Sequence, residues 1–427
     1  MHKDEQIFTS QLDTDFYKFP MAQIQFKDFR ETKVKWRLKN RTKGINLANI
    51  IPETELREQL DEARKIHFTG TELRYLRGIE VYSTPMFSED FLEFLKNYRL
   101  PEYNLERVDG EWNLEFEGKW CETSLWEIPA LTIISELYSR NITKHYSGFE
   151  VERMYAEGVE RFARKKEILR LHPGITFSDF GTRRRAFKDW HEKIVVFCKE
   201  ELLKQFLGTS NVHLAMKHDL IPIGTSAHEM FMAMAGIMYK SYKPIHETEE
   251  YADSEEVIRA SHNVTLENWW RHYGWGLSIA LTDTYSSRFA FETMPESIAR
   301  DWKGFRQDSG NPFEYGQWVI DFCKKHGVDP KEKLVIFSDG LDVVKICDLY
   351  RIFEGKFKMS FGLGTNLTND IRGVRPISLV IKLVEACGRG TVKLSDNIAK
   401  AIGKPEDIEK FKKIFGYNQN FREECIY

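Results

Sequence analysis

The stretch Leu334–Gly340 reads Leu-Val-Ile-Phe-Ser-Asp-Gly, a short apolar run that ends in small and polar residues, and a helical pattern follows it. The same unit recurs from about residue 150 onward, with other copies ending at Gly181, Asn211, Ser226, Asp283, Gly310 and Gly364. An eighth apolar run, Ile377 to Val384, closes the series. Alternating strands and helices predict a parallel sheet, and about eight strands in about 230 residues predict a closed α/β barrel.

The residues before about 145 do not show this repeated unit and instead mix strand and helix patterns. Val34, Trp36 and Leu38 alternate with lysine and arginine, as in a half-buried strand. Asp109-Gly110 precedes a second alternating run and predicts a β-hairpin. The apolar spacing over Leu125–Tyr138 predicts a helix.

Composition narrows the class of protein. The 427 residues are 42% hydrophobic, and 62 basic against 65 acidic side chains leave a net charge of −3, which argues against a general nucleic-acid binder. The longest apolar run, Met230–Tyr239, is too short to cross a bilayer, and the first residues do not predict a signal peptide. Six scattered cysteines without a CxxC pair predict reduced thiols. We therefore expect a cytoplasmic enzyme with no nucleic-acid or membrane partner.

The polar clusters follow the strands, where barrel enzymes build their sites. Gly208–Asn211 and Gly362–Asn366 combine glycine with hydroxyl residues before helix starts, so they are either phosphate-binding turns or plain turns. Arg183, Arg184 and Arg185 follow one strand end and form either an anion site or a solvated face. We expect at least one of the three arginines to point outward.

Carboxylates, a histidine and an aromatic residue are further candidates. Four aspartates each end a different strand and either hold Mg²⁺ with phosphates or cap the next helices: Asp179, Asp283, Asp308 and Asp339. His228 stands beside Glu229 and is either an acid, base or nucleophile or a packed core residue. Tyr17 is either a core residue or a stacking platform.

Taken together, these segments resemble the nicotinate phosphoribosyltransferase family from about Leu12 to Asn397. The residues that carry the resemblance are Asp13–Lys18, Phe180–Arg185, Gly208–Asn211, Gly224–Glu229, Leu281–Asp283, Arg306–Gly310, Ser338-Asp339, Phe361–Thr365 and Lys393–Asp396. The resemblance implies an irregular α/β barrel of seven to eight strands with a second α+β domain built from both chain ends. We assign residues 1–145 to the N-terminal α+β domain, 146–386 to the barrel, and 387–427 to a segment that packs back on the N-terminal domain.

The same resemblance implies a reaction. Nicotinate and 5-phosphoribosyl 1-diphosphate would give nicotinate mononucleotide and diphosphate, the first step of NAD synthesis by salvage of nicotinate. Mg²⁺ is the implied cofactor, and ATP is the implied co-substrate, hydrolysed through a phosphohistidine at the position of His228. A homodimer with a shared active site is also implied.

Residue roles carry over by position. Phe180 and Tyr17 would sandwich the pyridine ring, with Tyr17 from a neighbouring subunit, and Arg183 would bind near the ring's carboxylate. Asp283 and Asp308 would hold ribose hydroxyls or magnesium-bound diphosphate. The residues implied for the 5-phosphate are Arg306, Ser338, Gly362, Gly364, Thr365 and also Lys382, and Thr225 and Asp339 are counted with the substrate-binding residues.

Ser210 bears on the choice of base. The related nicotinamide enzymes carry an aspartate there, which would repel a carboxylate, so we predict nicotinate over nicotinamide. A nicotinamide or quinolinate phosphoribosyltransferase and a non-catalytic ligand-binding relative stay open as alternatives. The chain departs from the family pattern at Asn311, where aspartate is usual, and at Met230, where tryptophan is common.

Overall fold

The computed structural model describes residues 5–241 and 252–423. Its strands are β1 (Lys33–Asn40), β2 (Glu80–Val81), β3 (Thr84–Pro85), β4 (Asn104–Val108), β5 (Glu111–Lys119), β6 (Phe177–Asp179), β7 (Phe206–Thr209), β8 (Ile279–Leu281), β9 (Gly304–Gln307), β10 (Leu334–Phe337), β11 (Lys358–Leu363), β12 (Leu379–Ala386) and β13 (Arg389–Gly390). Its helices are α1 (Lys18–Asp28), α2 (Glu53–Lys65), α3 (Gly70–Arg77), α4 (Glu89–Asn97), α5 (Trp120–Thr123), α6 (Glu127–Ile142), α7 (Gly148–Arg170), α8 (Lys188–Glu201), α9 (Val212–Lys217), α10 (His228–Ser241), α11 (Ala252–Tyr273), α12 (Ser287–Thr293), α13 (Glu296–Asp301), α14 (Pro312–Lys325), α15 (Val343–Phe353), α16 (Thr365–Thr368) and α17 (Pro405–Ile414).

The repeated units form a parallel sheet, as predicted. Its strand order is β7-β6-β11-β10-β9-β8, and every neighbouring pair is parallel. The first strand along the chain, β6, pairs with the last, β11. The run ending at Ser226 contributes a parallel bridge from Pro222 to Thr209 beyond β7. Because the strands run the same way, their polar carboxyl ends meet at one edge of the sheet.

The eighth apolar run does not join this sheet, which corrects the prediction. It forms β12, which pairs antiparallel with β1 in a second sheet of order β13-β12-β1-β5-β4. A tight turn, not a crossover helix, follows β12 and leads directly into β13. An apolar run identifies a buried strand, whereas the partner that accepts its backbone hydrogen bonds is set by distant residues.

The local predictions for the first 145 residues are confirmed. Alternate side chains of β1 are buried, including Val34, Trp36 and Leu38. The β4–β5 hairpin turns at Asp109 (φ 50°) and Gly110 (φ 80°), the positive angles that a primed turn requires. The predicted helix is α6, and its early proline lies in the first turn, where a missing N–H breaks no helical bond.

Helices join the two sheets. Both α10 and α6 pack on β12, and a Cβ at Gly236 of α10 would lie 2.8 Å from the Ala386 carbonyl oxygen. The segment after β13 contacts both regions: Arg41, which follows β1, donates to the Lys400 carbonyl at 3.0 Å, and the Phe415 ring stacks on Tyr285, which follows β8, with centroids 3.9 Å apart. Within the described residues, no helix is long and apolar enough to span a membrane.

Candidate active site

A cleft with about 1310 Å³ of empty space, its open mouth included, lies between the carboxyl ends of the parallel strands and β12. Most of the predicted site residues line it: Tyr17, Phe180, Arg183, Ser210, His228, Arg306, Asp308, Ser338, Asp339, Gly362, Gly364, Thr365 and Lys382. Two predicted residues lie just behind the lining. Asp283 is buried beside His228, and Thr225 Oγ1 accepts a hydrogen bond from Arg306 at 3.4 Å.

Two aromatic residues line the cleft where the pyridine ring is expected. The Phe180 ring crosses Gly362 so closely that a Cβ there would lie 2.3 Å from a ring carbon. Gly224 approaches Tyr17 similarly, because its Cβ would lie 2.8 Å from the Tyr17 backbone nitrogen. The expectation that Tyr17 comes from a neighbouring subunit is not met, since the Tyr17 of the same chain lines the cleft.

The side chains of the three consecutive arginines lie in two different environments. Arg183 and Arg184 line the cleft, while Arg185 is buried and forms a two-pronged pair with Asp13 at 2.7 and 2.8 Å. None of the three is solvent-exposed, so the expectation of an outward arginine is wrong. The reason is Asp13, far away in sequence, which compensates a guanidinium that would otherwise need water. Burial works to lower the pKa of Arg183, but nearby Tyr17 and carboxylates raise it, and the residue stays a cation.

Asp15 is a cleft residue that the sequence reasoning did not single out. Its Oδ1 accepts a hydrogen bond of 2.6 Å from Ser210 Oγ, and burial raises the pKa of its carboxyl. The wall near Ser210 is therefore not free of acidic groups. The available signal was its position two residues before Tyr17 in the Asp13–Lys18 motif.

His228 lies among charged and polar groups. Its Nδ1 is 3.0 Å from Thr284 Oγ1, and its Nε2 is 2.9 Å from Asp308 Oδ2 and 2.8 Å from Lys393 Nζ. Burial, reinforced by the Lys393 charge, lowers the pKa of His228 to about 4. The ring is thus neutral near pH 7. The single proton of the neutral ring lies either on Nδ1, where it is donated to Thr284, or on Nε2, where it is donated to Asp308.

The aspartates divide into a site pair and a structural residue. Burial opposes ionisation of Asp283 and Asp308, but Lys393 and His228 lower the pKa of both carboxyls. Ligand atoms from His228, Asp283 and Asp308 lie within 4.8 Å of one another, and the buried Asp283 Oδ1 has no hydrogen-bond partner. An oxygen-rich set with an unpartnered carboxylate oxygen fits a divalent cation such as Mg²⁺. Asp179 instead binds His191 Nε2 at 2.7 Å beneath the strand ends.

The far end of the cleft offers donors. Arg306 Nη1 is held by the Ser226 carbonyl at 3.0 Å, and Ser338 Oγ donates to the Gln307 carbonyl at 2.9 Å. Thr365 Oγ1 is buried without a hydrogen-bond partner. Asp339 is paired with Lys400. Arg306, Ser338 and Thr365 together can bind an anion with several oxygens.

Several cations line the side of the cleft that faces the parallel strands, and the sequence analysis did not identify most of them. Besides Lys382, the lining includes Arg41, Lys393 and Lys400, which come from or near the antiparallel sheet. Burial lowers the pKa of Lys382 to about 8, with Glu127 opposing the shift. Only the Lys393–Asp396 motif pointed to this wall, since the other lysines and arginines fit no local pattern.

A parallel sheet with a cationic cleft at the carboxyl ends of its strands is typical of α/β enzymes that bind phosphorylated substrates. Two aromatic side chains, arginines and lysines line that cleft, and this lining suits an aromatic anion as well. The chain belongs to the nicotinate phosphoribosyltransferase (NAPRTase) family, whose model matches residues 175–419, while the model of the family's N-terminal domain matches residues 12–135.

Solved structures agree with this assignment. The nicotinate phosphoribosyltransferase of Porphyromonas gingivalis is 29% identical, with a TM-score of 0.83 over 96% of this chain and 100% of that chain. The nicotinate phosphoribosyltransferase of Vibrio cholerae is also 29% identical, with a TM-score of 0.85 over 97% of this chain and 95% of that chain. The resemblance stated from the motifs is confirmed.

Proposed function

We propose that the chain is an ATP-coupled nicotinate phosphoribosyltransferase, which forms nicotinate mononucleotide and diphosphate for NAD salvage. The observation that carries the proposal is one cleft that is lined by Tyr17, Phe180 and Arg183 and also contains the His228–Asp308 pair. Nicotinate is an aromatic ring with one carboxylate, so it fits the slot and the guanidinium together.

The glycosyl transfer needs orientation and charge stabilisation. The pyridine nitrogen attacks C1 of the ribose while the C1–oxygen bond to diphosphate breaks, and no proton has to be removed from the attacking nitrogen. Fixed cations on the opposite wall, including Arg41 and Lys393, stabilise the negative charge on the departing diphosphate. Asp283 and Asp308 would hold Mg²⁺, which would neutralise phosphate charge, while His228 stays free of the ion for phosphoryl transfer.

ATP coupling would use the tautomer of His228 that carries its proton on Nδ1. With Nδ1–H donated to Thr284, the Nε2 lone pair attacks the γ-phosphorus of ATP, the N–P bond forms, and the bond to the ADP oxygen breaks. Water later takes the phosphoryl group and regenerates the ring. Lys393, 2.8 Å from Nε2, neutralises charge on the transferred group.

We carry the architecture and assembly forward as part of the proposal. The parallel sheet would be the wall of an irregular barrel over residues 146–378, and the tail would cover residues 387–427. The α+β domain would combine residues 1–145 with β12, which was first assigned to a barrel over 146–386. The cytoplasm and a homodimer stay predictions, although the contribution of Tyr17 by its own chain removes the shared site as a reason for the dimer. Asn311 caps α14 by accepting from the Phe313 N–H at 2.9 Å, and Met230 is buried.

Product detection by mass spectrometry tests the function. Purified protein would receive 5-phosphoribosyl 1-diphosphate and Mg²⁺ with either nicotinate or nicotinamide, each with and without ATP. We expect nicotinate mononucleotide, in an amount that ATP increases. Product from nicotinamide alone would favour the sister reaction, for which the Asp15 carboxylate is a suitable acceptor. Binding of the sugar diphosphate without product would favour the ligand-binding relative.

Replacement of His228 tests the coupling separately. We expect His228→Asn to abolish ATP stimulation and phosphate transfer from labelled ATP while some basal synthesis continues. His218→Asn is the matched control, because His218 pairs with Glu192 outside the cleft. Persistent labelling of the His228→Asn protein would refute the phosphohistidine assignment.

A further inference from the structure

A buried network of charges lies behind the cleft. Lys18, the first residue of α1, is fully buried, and its Nζ lies 2.6 Å from Glu127 Oε2 and 2.5 Å from Glu229 Oε2. The other oxygen of Glu127 lies 3.4 Å from the Nζ of Lys382, which lines the cleft. Buried charges are costly unless they are paired, so this network constrains the positions of its members.

Glu229 is the most firmly held carboxylate of the network. Besides Lys18, it accepts hydrogen bonds from Ser124 Oγ at 2.7 Å, Gln25 Nε2 at 2.9 Å and Trp120 Nε1 at 3.3 Å. Glu229 directly follows His228 at the start of α10. Its side chain therefore anchors the end of the helix that carries the proposed phosphate acceptor.

A second contact lies on the other side of His228. Gly224, four residues earlier, packs so closely on Tyr17 that a Cβ would lie 2.8 Å from its backbone nitrogen. Tyr17 and Lys18 are neighbours in sequence. Tyr17 and Lys18 therefore contact the segment around His228 at two points. Tyr17 packs on Gly224 before His228, and Lys18 pairs with Glu229 directly after it.

We propose that Lys18 is a positioning residue that transmits the phosphorylation state of His228 to the nicotinate slot. The inference rests on the proposed ATP coupling. A phosphoryl group adds volume and negative charge at Nε2 and shifts the start of α10. The Glu229–Lys18 pair carries that shift to Tyr17, and Glu127 carries it to Lys382 on the opposite wall. Nicotinate affinity then rises when His228 is phosphorylated.

The test is the double variant Lys18→Met/Glu229→Gln. It removes one positive and one negative charge together, and the Glu127–Lys382 pair stays in place. Nicotinate KM is measured with and without ATP, together with phosphate transfer from labelled ATP. We expect labelling to persist while the ratio of the two KM values falls by about fivefold or more.

The control is Glu115→Gln, which is also a carboxylate-to-amide change but lies in β5 of the antiparallel sheet. Glu115 is buried and paired with Lys35 and Arg37, but it does not line the cleft. We expect its KM ratio to match that of the unmodified protein. A loss of coupling in this control as great as in the double variant would overturn the proposal.

The remaining outcomes are distinct. A double variant that is labelled and keeps the full KM ratio overturns the role of Lys18 and leaves the coupling intact. An unmodified protein that takes up no label overturns the coupling itself, and the role of Lys18 with it. If the double variant fails to fold by thermal melting, Glu229→Gln alone decides the question with the same expectations, because Lys18 keeps Glu127 as its partner.

Discussion

Ser210 illustrates how a single position takes its meaning from its neighbours. A neutral side chain there was expected to avoid repelling the nicotinate carboxylate and to leave an arginine to face it. Its Oγ instead donates to Asp15 at 2.6 Å, and burial raises the pKa of that acid. The hydroxyl thus holds an existing carboxyl in place, and Arg183 is the nearby cation that favours an anionic ligand.

Ser210→Asp is predicted to raise the KM for nicotinate. The new carboxylate would lie against Asp15 without its hydroxyl donor, and like charges in a buried site repel both each other and an anionic ligand. We expect an increase of about tenfold, equivalent to about 1.4 kcal/mol. Steady-state kinetics check this, with Ser210→Ala as the variant that removes the hydroxyl without adding charge. Equal nicotinate KM values for the aspartate and alanine variants would contradict the charge argument.

Lys382 is predicted to make substrate binding dependent on pH. Burial lowers the pKa of its ammonium group to about 8, so the cation is present below that pH and is lost above it. Binding of an anionic substrate should therefore weaken between about pH 7 and pH 9, with KM rising by several-fold. The Lys382→Arg variant stays charged over this range and should give a flatter profile. Parallel profiles for the two proteins would show that another group is responsible.

At the level of secondary structure, the ends of individual strands position the side chains of the cleft. Five of the six parallel strands are followed by residues that line the cleft, β8 is followed by Asp283 just behind the lining, and β12 brings Lys382 from the opposite side. This arrangement depends on close strand pairing. A Cβ at Gly304, the first residue of β9, would lie 1.7 Å from the Leu334 carbonyl oxygen of β10.

Gly304→Ala is therefore predicted to destabilise the parallel sheet. Backbone cannot move aside as a flexible side chain can, and overpacking of this kind costs about 3 kcal/mol. Urea unfolding checks the prediction, with the midpoint shifted downward. Gly148→Ala is the control, since a Cβ at Gly148, the first residue of α7, would meet no atom within 4 Å. A midpoint unchanged in both variants would refute the steric argument.

The assembled chain contains a complete cleft. Tyr17 lines the same cleft as Phe180 and His228 within one chain, because α1 is buried against the rest of the molecule. The N-terminal region, the parallel strands and β12 therefore all contribute to one site. Whatever the number of subunits, catalysis should not require a side chain from a second copy.

Co-expression of Tyr17→Ala with Asp308→Ala tests this prediction. If each chain uses its own Tyr17, the mixture should be no more active than the two variants measured separately. A site shared across a dimer would instead restore about a quarter of the unmodified activity, through mixed dimers with one intact site. Steady-state rates of the copurified mixture distinguish the two cases.

Much of this protein can be read locally. Residue periodicity predicted the parallel strands, the β4–β5 hairpin and α6, because alternation and turn chemistry depend on near neighbours. Motifs such as Phe180–Arg185 identified the family for the same reason. Local patterns did not predict three features: the sheet that β12 joins, the burial of Arg185 against Asp13, and the contact of Lys393 with His228. Lys393 and His228 are 165 positions apart in the sequence, so only the folded chain brings them together. The pairing of Arg185 with Asp13 and of β12 with β1 likewise joins distant segments, and a buried charge is tolerated there because a distant partner compensates it.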